Sequence, residues 1–359
     1  MASATDVAVI ATVLNEAATI DVLIRSLLAG RRLPEEIVIV DAGSDDGTQE
    51  ILLNWAGQVP QLTVLTHTGC GRSEGRNLAI ATATAPWIAV TDGGVRLTPC
   101  WLEALLAPVE QPSKTPPEVV AGFFRSAPLT RFERALGAVT LPASREVQPA
   151  SFLPSSRSVL FSRQAWAAAG GYPVWLDYCE DLVFDLALRR AGATFAWAPQ
   201  ALVHFRPRRN VTAFFRQYYC YARGDGKALL WPRRHAIRYG SYGVLLLLLA
   251  SVVQPQIRRL RLPALGLVVA GAAVYLREPY RRFLDPEDPQ LPAAAWRDDW
   301  QALAWLPVLR IVGDLAKMLG YPAGRLWRWR RRATVPRDPT APHYTLPPTA
   351  AAATPAPAA

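Results

Sequence analysis

Four groups of residues in this chain have types and spacings suited to chemistry. The first is Asp41-Ala-Gly-Ser44-Asp45-Asp46-Gly47-Thr48. A carboxylate that ends a buried strand accepts hydrogen bonds from ribose hydroxyls or from a base, and the turn after it re-aims the chain into a helix. A simple capped turn uses the same residues, because Ser and Asp cap helices routinely. The second group is Asp92-Gly93-Gly94, an acid followed by two glycines that admit a large group close to the backbone. A plain turn accounts for it equally. The third is the pair Glu180-Asp181 at the head of a helix, with Trp175 and Tyr178 nearby. The helix dipole favours acids there, so capping explains one of them. A carboxylate against apolar surface is also harder to ionise and can serve as a general base. The fourth is His204 with Arg206, Arg208 and Arg209, followed by Arg216 and Arg223 on one helical face. A lone His on a strand is ordinarily a satisfied core residue, and an arginine run is ordinarily a solvated face.

These residues need a frame. Residues 7–14 (VAVIATVL), 36–40 (EIVIV), 62–66 (LTVLT) and 87–91 (WIAVT) are short, apolar and β-branched. Between them lie helical segments. Residues 15–30 put Ile20, Leu23, Ile24, Leu27 and Leu28 on one face, the next helix opens at Ser44 or Asp45 as N-cap, and another covers 73–83. Strands alternating with helices of this length predict an α/β fold with a doubly wound, mainly parallel sheet. Such sheets bind ligands at the carboxyl ends of their strands. Asp41 and Asp92 both stand at such ends. Residues 111–160 are less regular, a strand is expected at 158–163, and a helix at 180–191 stops at Gly192.

The chain has 359 residues, of which 51% are hydrophobic and 19% charged, and its mean hydropathy is +0.10. That excludes a disordered chain, and with only four cysteines it excludes a disulfide-built mini-protein. Cys70, Cys100, Cys179 and Cys220 form no CxxC pair, so no zinc site is expected and they read as reduced cytosolic thiols. Residues 1–6 lead straight into the first strand, with no leader-type segment. The net charge of +10 is almost all arginine, since only Lys114, Lys227 and Lys317 are lysines. The basic residues gather at 206–238, 258–261, 277–282 and 325–332, beside uncharged runs at 239–253 and 262–276. Attraction to anionic lipid fits that placement, and nucleic-acid binding does not. Each uncharged run is short of the roughly 20 residues that a span needs, and flanking residues complete it. Two short spans, a re-entrant or interfacial hairpin, or a buried core hairpin are the alternatives. Residues 300–319 mix Leu and Trp with Arg310, Asp314 and Lys317, as an amphipathic interfacial helix does. Domains are therefore expected at 1–230 (catalytic), 231–285 (apolar hairpin), 286–332 (interfacial helix) and 333–359 (a disordered Pro/Ala-rich tail).

The ordered set TVLNE (12–16), VIVDAGSDDGT (38–48), GRSEGRNLAI (71–80), WIAVTDGG (87–94) and YCEDLVFDLALRRAG (178–192) resembles the family 2 glycosyltransferases of the GT-A fold, over about residues 6–230. The resemblance implies inverting transfer of a sugar from a nucleoside-diphosphate sugar, a UDP- or GDP-sugar, to an acceptor hydroxyl. By the same resemblance Leu14, Asn15 and Glu16 line the nucleotide pocket and Asp41, with Ser44, holds the uracil or ribose. Arg76 and Asn77 support the base and diphosphate region, and Asp92 with Gly93 matches the first acid of the metal-binding DxD motif. Asp181, beside Glu180, matches the catalytic base. Two departures stand out. Gly94 replaces the second DxD acid, so Mg or Mn is expected to be held weakly, with Asp92, the sugar diphosphate and His204 as its shell. RQYYCYARG (216–224) stands where the polymerases carry QxxRW, which argues against processive synthesis and leaves Arg223 as a candidate for the diphosphate. A membrane-side position suggests a lipid-linked or membrane-proximal acceptor in glycan or glycolipid assembly. Cytosolic nucleotide sugars place the catalytic body on the cytoplasmic side of a cell membrane. Two other classes compete. A nucleotidyltransferase would carry a Gly-rich basic loop where TVLNEAATI stands. An inactive, scaffold-like relative is supported by Gly94 and opposed by Asp41, Asp92, Glu180 and Asp181.

Overall fold

The computed structural model describes residues 5–253, 259, 261–285 and 299–342. The chain divides into two units. The first combines residues 1–125, 148–205 and 335–359, and the second combines 126–147 and 206–334.

The first unit is built on one eight-stranded sheet, made of β1 (Val7–Val13), β2 (Glu36–Asp41), β3 (Leu62–Thr66), β4 (Trp87–Val90), β5 (Val95–Leu97), β6 (Val119–Ser126), β7 (Val159–Ser162) and β8 (Phe195–Phe205). The spatial order is β3-β2-β1-β4-β7-β6-β8-β5. β3, β2, β1 and β4 run parallel, with Val13 opposite Asp41 and Ile10 opposite Val90. β7 adds to β4 antiparallel, β6 to β7 antiparallel, and β5 pairs antiparallel with β8. The parallel half is the doubly wound part expected from the sequence. The antiparallel half consists of β6 from the irregular 111–160 stretch, β7 at the strand expected over 158–163, the short β5, and β8, which carries His204.

Burial on both faces explains the apolar runs. In β1, Val7, Val9, Ala11 and Val13 enter one core, while Ala8 and Ile10 enter the other. That is the two-residue alternation of a strand covered on both sides. One core is closed by α1 (Ile20–Leu28), α2 (Thr48–Ala56) and α4 (Trp101–Glu110). The other is closed by α3 (Arg72–Thr82), α6 (Arg163–Ala169) and α7 (Glu180–Arg190). The chain leaves β1 for β2 on one side and reaches β4 on the other, so the crevice at their carboxyl ends is the topological switch point where such sheets bind ligands.

The second unit is helical: α5 (Arg131–Thr140), α8 (Val211–Lys227), α9 (Pro232–Val253), α10 (Arg261–Leu284) and α11 (Trp300–Arg330). Leu136, Phe214, Phe283, Leu306 and Leu309 form its core. The segment read as an interfacial helix over 300–319 continues to Arg330 despite Pro322, and its Ala302, Leu306, Leu309 and Ala316 are buried. Glycines let α8 and α11 touch backbone to backbone. A Cβ on Gly320 would stand 2.2 Å from the Tyr219 carbonyl oxygen, and one on Gly324 would stand 2.1 Å from that of Arg223. Neither carbonyl can yield without moving a helix. Gly320→Val is therefore expected to cost at least about 3 kcal/mol, the upper range for overpacking a tight core. A urea midpoint equal to wild type would contradict this packing.

α9 and α10 are 22 and 24 residues long, and both are long and apolar enough to cross a membrane by length and composition. Leu246, Leu247, Leu267, Val269 and Val274 are exposed on them. Arg258 of the loop between them and residues 343–359 of the tail lie outside the described residues. Within 333–342, turns hold Asp338 in an ion pair with Arg190.

Candidate active site

The loops after β1 and β2 are laced together at the switch point. Asn15 adopts a left-handed backbone (φ +57°), uncommon for a residue other than glycine. Its amide donates to Ser44 Oγ (2.9 Å), and its Oδ1 accepts from the Asp45 amide (3.0 Å). The Glu16 amide donates to Thr48 Oγ1 (2.8 Å). Asp41 is fully buried, and its carboxylate accepts from both the amide and the hydroxyl of Ser44 (3.1 and 2.5 Å). Neither Ser44 nor Asp45 caps α2. The helix starts after Gly47, and the Asp46 carboxylate takes the Thr48 amide (3.1 Å), because Ser44 is already held between Asp41 and Asn15. Leu14 is exposed beside this web.

The second cluster centres on Arg76 of α3. Its side chain is 4% exposed, and it donates one Nη to Glu180 (3.0 Å) and the other to Asp92 (3.0 Å). The guanidinium lies over the buried ring of Tyr172 (5.3 Å). Arg157 approaches the other oxygen of Asp92 (3.5 Å). Arg72 donates to the Asp177 carbonyl (3.2 Å) and covers the Tyr178 ring (4.8 Å). Three of the expected site residues, Arg76, Asp92 and Glu180, thus meet directly, although they are spread over more than a hundred positions.

The adjacent acids of α7 differ in role. Glu180 is buried and tied to Arg76. Burial pushes its carboxyl above the usual range, and the neighbouring Asp181 adds to that while Arg76 and Arg72 oppose it. Asp181 is half-buried and accepts from the Leu182 amide (2.9 Å). Cys179 before them has φ +64°, a left-handed step that turns the chain into the helix. One turn further, Asp185 is buried, and burial followed by the Asp181 charge raises its carboxyl well above the usual range. The folded state therefore holds that proton more tightly than the unfolded chain does. Stability from this group is complete below the ordinary Asp value of about 4 and is lost as pH rises toward the raised value. Asp185→Asn, which keeps the neutral shape, is expected to be at least as stable as wild type at neutral pH. It should also flatten the fall in urea midpoint above about pH 4. Identical pH slopes for the two proteins would contradict this.

Several expected residues take other places. Asn77 is fully buried and satisfied within the fold. Its Nδ2 donates to the Tyr172 carbonyl (2.9 Å), and its Oδ1 accepts from the Tyr172 amide (2.9 Å) and from Trp166 Nε1 (3.1 Å). It holds the Tyr172 ring under Arg76. His204 is buried on β8, opposite Arg96 of β5. Arg223 belongs to α8 of the second unit, where its backbone packs on Gly320 and Gly324.

Gly93 and Gly94 have a steric reason. A Cβ on Gly93 would stand 2.9 Å from Val13 and 3.0 Å from Glu16, and one on Gly94 would stand 3.4 Å from the Glu16 carboxylate. An acid at 94 would face another acid. By itself this donor set does not make a cradle for a divalent cation. Among the described residues no three His, Cys, Asp or Glu side chains gather, and both oxygens of Asp92 face guanidinium groups. A hard cation needs six or more oxygen ligands or waters.

A half-parallel α/β sheet with loops and acids converging at its switch point defines the GT-A type of fold. Residues 8–144 match glycosyl transferase family 2. The matched segment, somewhat over a third of the chain, carries Asp41, Arg76 and Asp92 and is similar to that family. Over 230 residues it is 26% identical to the succinoglycan biosynthesis protein ExoA of Rhizobium meliloti (strain 1021), covering 61% of this chain and 69% of that protein. In structure it is similar to the mannosyltransferase PcManGT of Pyrobaculum calidifontis, solved with GDP-Man and Mn2+ (TM-score 0.50, 18% identity, 90% of this chain and 86% of that one). It is also similar to S. aureus TarS 1-349 with UDP-GlcNAc (TM-score 0.48, 14% identity, 91% and 92% covered).

Arg157, Arg72, Tyr172 and Asp185 were not expected at the site. Arg157 lies in the stretch without periodicity, and nothing local in the sequence distinguishes it. The GRSEGRN segment contains Arg72, and only its four-residue offset from Arg76 hints that both face one side.

Proposed function

We propose that the protein transfers a sugar from a nucleoside-diphosphate sugar to an acceptor hydroxyl by a single inverting displacement. The nucleoside lies on the Leu14–Glu16 and Asp41–Ser44 loops at the switch point, and the diphosphate lies near Asp92. Asp181 takes the proton of the acceptor hydroxyl. The oxygen then attacks the anomeric carbon as the bond to the diphosphate breaks, and the nucleoside diphosphate leaves with the bonding electrons. The partly open Asp181 suits the base, whereas buried Glu180 is committed to Arg76. Charge developing on the leaving diphosphate is met by guanidinium groups, with Arg157 the partly exposed one at Asp92. The observation that carries this reading is the Asp92–Arg76–Glu180 bridge. It fixes the donor-side acid and the acid pair of α7 in one rigid unit.

The acceptor in this reading is lipid-linked or membrane-proximal, as the exposed apolar α9 and α10 suggest, and the catalytic unit faces the cytoplasm. The GDP-Man and UDP-GlcNAc of the two solved relatives make hexose nucleotides the first donors to try. The test is release of nucleoside diphosphate from each donor, with and without a membrane-lipid extract as acceptor source. Extract-dependent release is expected. Donor binding without release under any condition would favour the inactive, scaffold-like alternative.

A further inference from the structure

The second unit contains a cavity of about 240 Å³ walled by α5, α8, α10 and α11. A water occupies about 30 Å³ of liquid, so a phosphate or diphosphate group fits. Phe214 and Tyr218 give it an apolar wall, and four charged side chains line it: Arg282, Arg310, Asp314 and Lys317.

Two of those charges are already matched. Arg282 meets Glu146 (2.6 Å). Asp314 accepts from Arg238 Nε (2.8 Å) and from the Tyr275 hydroxyl (2.6 Å). Arg310 and Lys317 remain, one helical spacing of seven apart on α11, and among the described residues neither pairs with a carboxylate. Arg310 lies over the Tyr275 ring (4.9 Å), and its Nε is buried with no hydrogen-bond partner. Lys317 lies over the Tyr218 ring (4.9 Å). Burial pushes its ammonium down to about 8, with Arg238 and Arg310 adding to the shift and Asp314 and Asp225 opposing it. A pocket with two uncompensated, partly desolvated cations lacks an anion.

We propose that this cavity binds the phosphate or diphosphate group of a lipid, with Arg310 and Lys317 as its ligands. The lipid is argued from position. Arg282 stands in the last turn of α10, whose preceding turns expose Leu267, Val269 and Val274. Basic side chains at the end of an apolar helix sit at the depth of lipid phosphates. The apolar wall then accommodates the first carbons of the chain. The inference stands on the second unit alone and holds whether or not the donor reading does.

Full-length protein in detergent is titrated with farnesyl diphosphate, and separately floated with phosphatidylcholine vesicles with and without phosphatidylglycerol. The expected result is that R310Q/K317Q binds at least one of these probes tenfold or more weakly than wild type, while R310K/K317R stays near wild type. Loss confined to farnesyl diphosphate identifies a lipid-linked diphosphate, and loss confined to phosphatidylglycerol identifies a bilayer headgroup. A second measurement does not depend on a variant that folds: farnesyl diphosphate or phosphatidylglycerol vesicles should slow reductive methylation of Lys317 in the wild-type protein. Unchanged affinity for both probes in the double variant, or unprotected Lys317 with both, would overturn the proposal. Nucleoside-diphosphate binding by the same variants reports separately on the first unit.

Discussion

Replacing Asp181 with Asn is expected to reduce sugar transfer by roughly two to four decades while leaving donor affinity within about twofold, because a general base acts only on the proton transferred in the transition state. The geometry supports the asymmetry. Asp181 is half-buried at the head of α7, with the helix dipole behind it and the Leu182 amide donating to its carboxylate. Its neighbour Glu180 is bound to Arg76 and shielded from solvent. Glu180→Gln should therefore change stability and donor binding as well as rate, since it removes a charge from the bridge. Kinetics at saturating donor, together with donor titration by calorimetry, separate the two cases. If Asp181→Asn turned over normally, the base assignment would be wrong.

The second large effect is expected at Arg76. Its guanidinium is the counter-charge for Glu180 and Asp92 and lies against Tyr172. Arg76→Met keeps much of the volume but leaves buried Glu180 without its closest cation, a loss of about 3–5 kcal/mol when one partner of a buried pair is removed. Glu180 would escape by protonating, so the loss should be smaller in acid and grow as pH rises. Donor affinity should fall too, because Asp92 loses its anchor. Arg76→Lys restores the charge but not the two-pronged geometry and should recover only part of either property. Urea denaturation across pH measures this. An Arg76→Met protein as stable as wild type would refute the bridge as the organiser of the site.

Much of the first unit was legible because its signals are local. Strand β3 falls on the five residues read from the sequence, and β1, β2 and β4 differ at their carboxyl ends by one residue. Burial on both sheet faces makes those strands uninterrupted apolar runs, and the helices between them carry their own stripes. The chemistry-bearing residues were legible as motifs, but their partners were not. That Arg76 spans Glu180 and Asp92 is a tertiary fact, as is the approach of Glu16 to Gly94. The latter gives Gly94 a reason beyond the loss of an acid: that space belongs to a carboxylate from the loop after β1. Asn77, expected beside Arg76 at the base and diphosphate region, has its side chain held inside the fold by Tyr172 and Trp166, which no local signal gives. The helix α5 and the strand β6 fell in a stretch with little periodicity, whereas β7 lies within the strand expected at 158–163. The length of α11 was hidden by Pro322, and packing of Gly320 and Gly324 on α8 overrides that local signal.

The central claim is that the crevice at the ends of β1, β2 and β4 takes a nucleotide-sugar donor. Thermal unfolding of the full-length protein with UDP, GDP and their hexose conjugates, with and without Mn2+ or Mg2+, tests it most directly. A ligand that binds only the folded state at a hundred times its Kd stabilises by about 2.7 kcal/mol. At least one nucleotide should raise the melting temperature by several degrees in wild type, and Asp92→Ala should lose most of that rise. No shift with any nucleotide, with or without metal, would contradict the account.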